Sequence, residues 1–179
     1  MQIHHRRSIR LPDYDYTQPG YYFITLTTND GIPWFGEIED GEMRLTALGK
    51  MIQTEWLRLS QRFHGIQMDE FVIMPNHFHG IIQITKDRYP PSKDGENTEA
   101  FGRPVKASIP TMVRSFKAAV TLRARRMTGN NDLKLWHGNY FERVIQNDWG
   151  FLAARLYIQT NPANWKVDEM NPERKKGVF

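Results

Sequence analysis

The segment MDEFVIMPNHFHGIIQI (68–84) constrains the fold more than any other part of the chain. Its apolar and β-branched residues predict two strands separated by a break at Pro75 and Asn76. Proline cannot donate to a strand ladder, so it marks an edge or a bulge. Side chains two residues apart on a strand point to the same face, so His77 and His79 are expected to converge.

Two converging imidazoles indicate a metal site, because neutral histidine is the commonest metal ligand in proteins. The chain contains no cysteine, so any ion must be held by His, Asp, Glu, Asn or Gln. One alternative is a three-histidine zinc site completed by His64 or His137. Another is that the two histidines occupy a half-solvated strand position without a ligand. The pair by itself does not name a reaction.

The other hydrophobic patterns predict an α+β fold in a single domain. Apolar residues at helical spacing predict three helices, at 47–63, 109–127 and 148–165. Alternating or β-branched segments predict strands or hairpins at 20–28, 34–46 and 133–145. The order of these elements predicts an antiparallel sheet with helices packed on it.

The ends and loops of this fold are predicted from composition. Asp148 is the expected N-cap of the last helix, and Pro162 lies near the end of that helix. The domain is expected to span 1–170, with an exposed loop rich in Pro and Gly at about 86–104. A basic tail at 171–179 follows.

The last predicted helix carries Tyr157 and Asn161 four residues apart. Residues at this spacing lie on one face, about 40° apart around the axis. A tyrosine supplies a hydroxyl nucleophile, and an asparagine supplies a carbonyl oxygen suited to Mg²⁺ or Mn²⁺. The alternative is structural: a tyrosine at the edge of the core, and an asparagine that caps the helix before Pro162.

The whole chain has a net charge of +4, and its basic residues are concentrated in two segments. Between positions 103 and 134 there are eight Lys and Arg but one acidic residue, and a second cluster lies near the N-terminus. Such an excess suits a surface that follows phosphates, although a solvated helix face has the same composition. The candidate DNA contacts are Arg6, Arg7, Arg10, Arg114, Lys117, Arg125 and Arg126, with Trp136, Tyr140 and Phe141 as candidates for base stacking.

Several of these segments together resemble a known family. FVIMPNHFHGII is similar to the HUH motif (histidine, hydrophobic residue, histidine) of single-tyrosine transposases. RRSIRLPDYDYTQPGYYFITLTT resembles the N-terminal strand of these enzymes. WHGNYFERVIQND followed by LYIQTNP resembles the WxxxYFxHVI and YIxxNP blocks of REP-associated tyrosine transposases. The resemblance runs from about Arg6 to Trp165 and preserves the order of the blocks.

The resemblance implies specific roles for the residues that match. His77 and His79 correspond to the metal-binding pair, Asn161 to a third, amide ligand, and Tyr157 to the catalytic tyrosine. Arg143 stands where many relatives have histidine, and it is taken as a DNA contact. The fold implied is a ferredoxin-like or RRM-like HUH core, and the cofactor implied is Mg²⁺ or Mn²⁺.

The implied activity is cleavage and rejoining of single-stranded DNA at REP-like hairpins through a 5′-phosphotyrosine. The partner is then hairpin DNA, and a monomer is expected rather than a homodimer. No apolar run approaches the ~20 residues of a membrane span, and the N-terminus lacks the apolar region of a secretory signal, so a cytoplasmic protein is expected. Two other functions stay open: a domesticated hairpin-binding protein without strand transfer, and a histidine-based metal hydrolase.

Overall fold

The β-branched and aromatic residues of GYYFITLT form the strand on which the sheet is built. This strand, β1 (Gly20–Thr27), pairs antiparallel with β5 (His77–Ile84) on one side and with β6 (Phe141–Ile145) on the other. β5 also pairs antiparallel with β4 (Ile66–Ile73). The resulting strand order is β4-β5-β1-β6.

The computed structural model describes residues 14–87 and 105–174. Most of the predicted loop at 86–104 and of the predicted tail at 171–179 lies outside these residues, as do Arg6, Arg7 and Arg10. No helix in the described part of the chain is long and apolar enough to cross a membrane.

A separate hairpin follows β1. It consists of β2 (Gly36–Glu39) and β3 (Glu42–Leu45), joined at Asp40 and Gly41, as the sequence predicts. Both turn residues have positive φ, 49° and 79°, the backbone conformation that a two-residue hairpin turn requires.

Within residues 14–87 and 105–174, four α-helices pack on the sheet, on both of its faces. They are α1 (Ala47–Leu57), α2 (Leu59–Arg62), α3 (Ile109–Thr128) and α4 (Asp148–Thr160). α1 and α3 cover one face, and α4 covers the other. The prediction of a single α+β domain with an antiparallel sheet is confirmed.

The face covered by α1 and α3 holds the main core. The ring of Trp56 on α1 lies 4.6 Å from that of Phe78 on β5 and 5.4 Å from that of Phe116 on α3, measured between centroids. A Cβ atom at Gly80 would lie 2.5 Å from the Trp56 ring. The glycine after the histidine pair therefore lets a tryptophan pack directly on the strand that carries the pair.

The face covered by α4 holds a smaller apolar cluster. Ile81 of β5 and Ile145 of β6 contact Ala154 and Ile158 of α4. Two turns of α4 thus fix its position on the sheet, and the opposite side of the helix is exposed at Trp149, Leu152 and Leu156.

Two of the predicted helices differ from the structure. The helix predicted at 47–63 is interrupted at Arg58, and α2 is a single further turn whose Arg62 N–H donates to the Arg58 carbonyl. The helix predicted at 148–165 ends at Thr160, because Pro162 has no N–H with which to continue the helical hydrogen bonds. A short 3-10 turn at Trp165–Val167 follows.

The expected cap of α4 and the segment at 133–145 also need correction. The N-cap is Asn147, not Asp148: Asn147 is extended, and its side chain accepts a hydrogen bond from the Gly150 N–H at 2.8 Å. Of the segment 133–145 only β6 is a strand. The residues before β6 extend the end of β1 through a bridge between Thr28 and Trp136, so they form no hairpin with β6.

A buried carboxylate joins three helices of the main layer. Glu55 of α1 is fully buried and accepts hydrogen bonds from Arg58 at 2.9 Å and from Arg62 of α2. Arg123 of α3 lies 3.1 Å from the same carboxylate. Burial raises the pKa of Glu55, but the hydrogen bonds from Arg62 and Arg58 outweigh it, so the pKa lies below its usual value of 4.5.

Replacing this carboxylate tests its contribution to stability. We expect Glu55→Gln to lower the free energy of unfolding by about 1–3 kcal/mol at pH 7, because three guanidinium groups lose a charged acceptor. A depressed folded pKa stabilises the protein above the unfolded value and loses that effect as the pH falls through the folded value. The difference between wild type and variant in urea unfolding should therefore shrink as the pH is lowered below 4.5.

The matched control is Glu39→Gln, which removes a carboxylate paired with Arg44 on the exposed hairpin. We expect this change to alter the free energy of unfolding by less than about 0.5 kcal/mol. An equal loss in both variants would contradict a special role for Glu55.

Candidate active site

The two histidines of β5 lie on the sheet face that α4 covers. In the register of β5 with β1, His77 is opposite Thr27 and His79 is opposite Thr25. Both imidazoles are buried, at 0% and 2% exposure, and their ring centroids are 4.8 Å apart. The structure thus brings the pair to one point, as the spacing along the strand predicts.

The residue before the pair, Asn76, fixes the orientation of the first imidazole. Its side-chain N–H₂ group donates to the carbonyls of Gly31 at 3.1 Å and Met170 at 2.8 Å. Its Oδ1 atom is then left to accept a hydrogen bond from His77 Nδ1 at 2.9 Å. Because an amide oxygen only accepts, His77 carries its proton on Nδ1 and presents the lone pair of Nε2.

The second imidazole is held between a hydroxyl and the predicted nucleophile. His79 Nδ1 lies 2.8 Å from Thr25 Oγ1, and His79 Nε2 lies 3.4 Å from the Tyr157 hydroxyl. The ring of Phe23 stacks on the His79 ring with a centroid distance of 5.3 Å. Tyr157 is therefore directly beside the histidine pair, although the two are 78 residues apart in sequence.

α4 sets the position of Tyr157 and Asn161. Polar contacts to β4 fix the rotation of α4 about its own axis. Arg155 lies 3.1 Å from Asp69, and Gln159 donates to Glu70 at 3.1 Å. Tyr157 lies at the edge of the helix and is 46% exposed, whereas Asn161 is buried at 2% exposure. Tyr157 is therefore accessible, and the Asn161 amide is enclosed.

The turn after α4 adds Asp168 to the site, a residue that no sequence pattern indicates. Its side chain is 7% exposed, and its Oδ2 atom lies 3.9 Å from His77 Nε2. The Asn161 amide N–H₂ group points to the same oxygen at 3.5 Å. The role of Asn76 in the site was also not predicted. Its position directly before the histidine motif was the one sequence feature that could have indicated this role, and no sequence feature indicated a role for Asp168.

Burial and charge set the protonation of the site. Burial lowers the pKa of His77 to about 4 against the opposing charge of Asp168, and burial together with His77 lowers the pKa of His79 to about 3. Both imidazoles are therefore neutral at neutral pH. Burial and the Asp168 carboxylate raise the pKa of Tyr157, so its hydroxyl is protonated there.

The residues present fit a divalent metal ion. His77 Nε2 and Asn161 Oδ1 are both buried and have no hydrogen-bond partner among residues 14–87 and 105–174. Within those residues no three His, Asp or Glu side chains lie close enough together to hold an ion by themselves. No third imidazole from His64 or His137 therefore joins the pair. A metal site here would combine the two imidazoles with the Asn161 amide, whose oxygen suits Mg²⁺ or Mn²⁺.

An open cleft of about 620 Å³ leads to Tyr157. Its lining includes His79, Phe141 and Arg143. The Arg143 guanidinium lies over the Phe23 ring, 5.6 Å from its centroid. Arg143 is thus placed in the cleft with the tyrosine.

The other predicted DNA contacts in the described part of the chain lie away from this cleft. Arg114, Lys117, Arg125 and Arg126 are on α3, on the opposite face of the sheet from Tyr157. Lys117 donates to the His137 carbonyl at 2.8 Å, and Arg125 donates to the Leu133 carbonyl at 3.3 Å. These two residues line a second groove of about 620 Å³, together with Lys134.

Two of the aromatic residues predicted to stack on bases differ in how far they are exposed to solvent. Trp136 is only 8% exposed and packs against Phe35 and Phe116, so it belongs to the core. Phe141 is 56% exposed and lines the cleft beside Tyr157. Of these two, only Phe141 has an exposed ring in the cleft beside Tyr157.

The tautomer of His77 is directly measurable. We expect long-range ¹H–¹⁵N NMR spectra of the metal-free protein at pH 7 to show a neutral His77 with its proton on Nδ1, because Asn76 accepts from that atom. Exposed His137 serves as the internal reference. A His77 signal from the Nε2–H form, or from an imidazolium, would contradict the hydrogen-bond network described above.

Comparison with known proteins identifies the fold first. The solved structure of a REP-associated tyrosine transposase bound to a REP hairpin superposes with a TM-score of 0.54 at 16% sequence identity, covering 92% of this chain and 74% of that one. The chain therefore has the fold of this class of transposase. No protein-family model matches the sequence.

Sequence comparison then gives the family. An uncharacterized protein of Haemophilus influenzae is 39% identical over 171 residues, which cover 94% of each chain. The chain belongs to the same family as this Haemophilus protein.

Proposed function

We propose that the protein is a metal-dependent HUH tyrosine transposase that cleaves and rejoins single-stranded DNA at hairpins. The observation that carries this proposal is the position of the Tyr157 hydroxyl, 3.4 Å from His79 Nε2. It lies beside two buried atoms that lack partners among the described residues, His77 Nε2 and Asn161 Oδ1. The fold shared with a transposase that binds a REP hairpin supports the same assignment.

Each residue of the site has a definite part in this reaction. His77, His79 and Asn161 would hold the Mg²⁺ or Mn²⁺ ion, which when bound would supply positive charge next to the scissile phosphate. Asn76 and Thr25 fix the two imidazoles so that their orientation need not change as the reaction proceeds.

Tyr157 is the nucleophile. Its Oη atom attacks phosphorus, the bond from phosphorus to the 3′ oxygen breaks, and the phenolic proton is transferred through solvent to that oxygen. The products are a 5′-phosphotyrosine and a free 3′-OH. The covalent bond retains one DNA end until another 3′-OH attacks it, so rejoining needs no nucleotide cofactor.

The cleft beside Tyr157 suits a nucleotide strand. Arg143 offers a planar guanidinium to a phosphate, and exposed Phe141 offers a ring to a base. The hairpin itself is assigned to the basic residues of α3 and the groove next to them. We propose further that the protein acts in the cytoplasm as a monomer.

A covalent-adduct assay tests the nucleophile. We expect wild-type protein with Mn²⁺ and labelled single-stranded hairpin DNA to give a denaturation-resistant protein–DNA band. This band should be absent with EDTA and absent from Tyr157→Phe, because both the cation and the hydroxyl are required. The hairpins are taken from the DNA that flanks the protein's own gene.

The control variant is Tyr21→Phe, which changes a tyrosine that packs on Phe151 of α4 away from the histidines. It should form the band at the wild-type level. Cleavage that persists unchanged in Tyr157→Phe would instead favour a metal-bound water, and tight binding without any cleavage would favour a hairpin-binding protein.

The DNA-binding role proposed for the basic residues of α3 and the groove next to them is tested by salt-dependent binding. We expect the double change Arg126→Gln and Lys134→Gln to weaken hairpin binding about tenfold, uniformly across hairpin sequences, because phosphate contacts carry no base information. The slope of log K against log salt should fall by roughly 1 to 2. Arg44→Gln, an exposed cation on the separate hairpin, is the control and should bind as wild type.

A further inference from the structure

Residues 165–171, which follow α4 and include Asp168, form a closed turn docked against the site. Asn171 closes the turn by donating from its side chain to the Trp165 carbonyl at 2.9 Å and from its N–H to the Asp168 carbonyl at 3.1 Å. The Met170 carbonyl accepts from the Asn76 side chain at 2.8 Å. Asn76 thus holds this turn and orients His77 at the same time.

Within this turn the Asp168 carboxylate is set in one orientation. The Met170 N–H donates to Oδ1 at 2.6 Å, which leaves Oδ2 directed at the site. Oδ2 lies 3.5 Å from Asn161 Nδ2 and 3.9 Å from His77 Nε2. A carboxylate that is 7% exposed and held in this way is a fixed negative charge beside the histidine pair.

This carboxylate also decides which atom the Asn161 amide offers. If the Asn161 amide were turned the other way, its oxygen would face Asp168 Oδ2, and both atoms are hydrogen-bond acceptors. The N–H₂ group must therefore face the carboxylate. Asn161 Oδ1 is then the atom left without a partner in the described part of the chain. The two ends of the ligand set are thereby joined by one path of hydrogen bonds, from His77 through Asn76, Met170 and Asp168 to Asn161.

We propose that Asp168 is a positioning residue of the metal site, which holds the Asn161 amide with its oxygen toward the ion and contributes the negative charge that attracts a divalent cation. The proposal rests on the proposed function and adds to it a residue outside the ligand set. Asp168 acts through Asn161, because it forms no three-residue cluster with the histidines that would hold an ion directly. Outer residues of this kind typically change metal affinity 10–100-fold when mutated.

Direct metal titration tests this role without any DNA reaction. Mn²⁺ is titrated into the full-length protein at pH 7, and free Mn²⁺ is measured by electron paramagnetic resonance. We expect Asp168→Asn to bind Mn²⁺ 10–100-fold more weakly than wild type. The control Glu169→Gln removes the same charge from the next, exposed residue and should stay within about twofold of wild type.

Two further readouts separate positioning from simple loss of structure. The His77 tautomer is measured by NMR in Asp168→Asn, and an unchanged Nδ1–H signal shows that the neighbouring network is folded. Asp168→Glu keeps the charge but lengthens the side chain by one methylene group, which displaces the carboxylate. We expect the Mn²⁺ affinity of this variant to lie between those of wild type and Asp168→Asn. Weak binding by Asp168→Asn only where the tautomer signal is lost would overturn the proposal.

The failure of this proposal differs from that of the proposed function. If wild type binds Mn²⁺ and Asp168→Asn binds it as well as Glu169→Gln does, the positioning role is wrong and the metal site stands. If wild type binds no Mn²⁺, the metal-dependent function fails, and the role of Asp168 fails with it.

Discussion

The side chain of Asn76 makes the three hydrogen bonds on which the site depends. It connects the Pro75-Asn76 break before β5, the 3-10 turn at Asn29–Gly31 and the turn after α4, three segments far apart in the sequence. Because the Asn76 side chain is buried, losing one of these bonds leaves an unpaired polar group at a cost of about 1–3 kcal/mol. The same amide therefore closes the fold around the site and sets which nitrogen of His77 is free.

Side chains alternate between the two faces of the sheet, so the core residues and the candidate site residues of one strand lie on opposite faces. Along β5, Phe78 and Gly80 face the large core, and His77 and His79 face α4. The core side is filled by aromatic rings, which make that face rigid. The imidazoles therefore stand on a support that tolerates little movement, as a site with defined geometry requires.

The sequence allowed much of this arrangement to be predicted, because strand and helix periods are local properties. The period of two placed the histidines together, and the spacing of four placed Tyr157 and Asn161 on one helix face. The role of Asp168 was not predictable, since it depends on how a turn docks onto a residue some ninety positions earlier. The burial of Trp136 was missed for the same reason: its environment comes from α3 and Phe35, not from its neighbours in sequence.

The location of the basic residues shows a second limit. Composition predicted that α3 is basic, but only tertiary structure shows that it lies behind the sheet, opposite Tyr157. A DNA molecule that contacts both must pass around an edge of the sheet. If the proposed function holds, the bound strand therefore has to bend or change from duplex to single strand along its path, which a hairpin with a flanking single strand does by its own structure.

The small size of the apolar cluster beneath α4 has a consequence for motion. Only Ala154 and Ile158 are buried on this helix, whereas α3 buries seven residues against the main core. Elements with few buried apolar contacts open at lower free energy than the rest of a domain. The helix that carries Tyr157 thus has the fewest buried apolar residues of the long helices described, so we expect it to open at a lower free energy than α1 or α3 while the sheet remains folded.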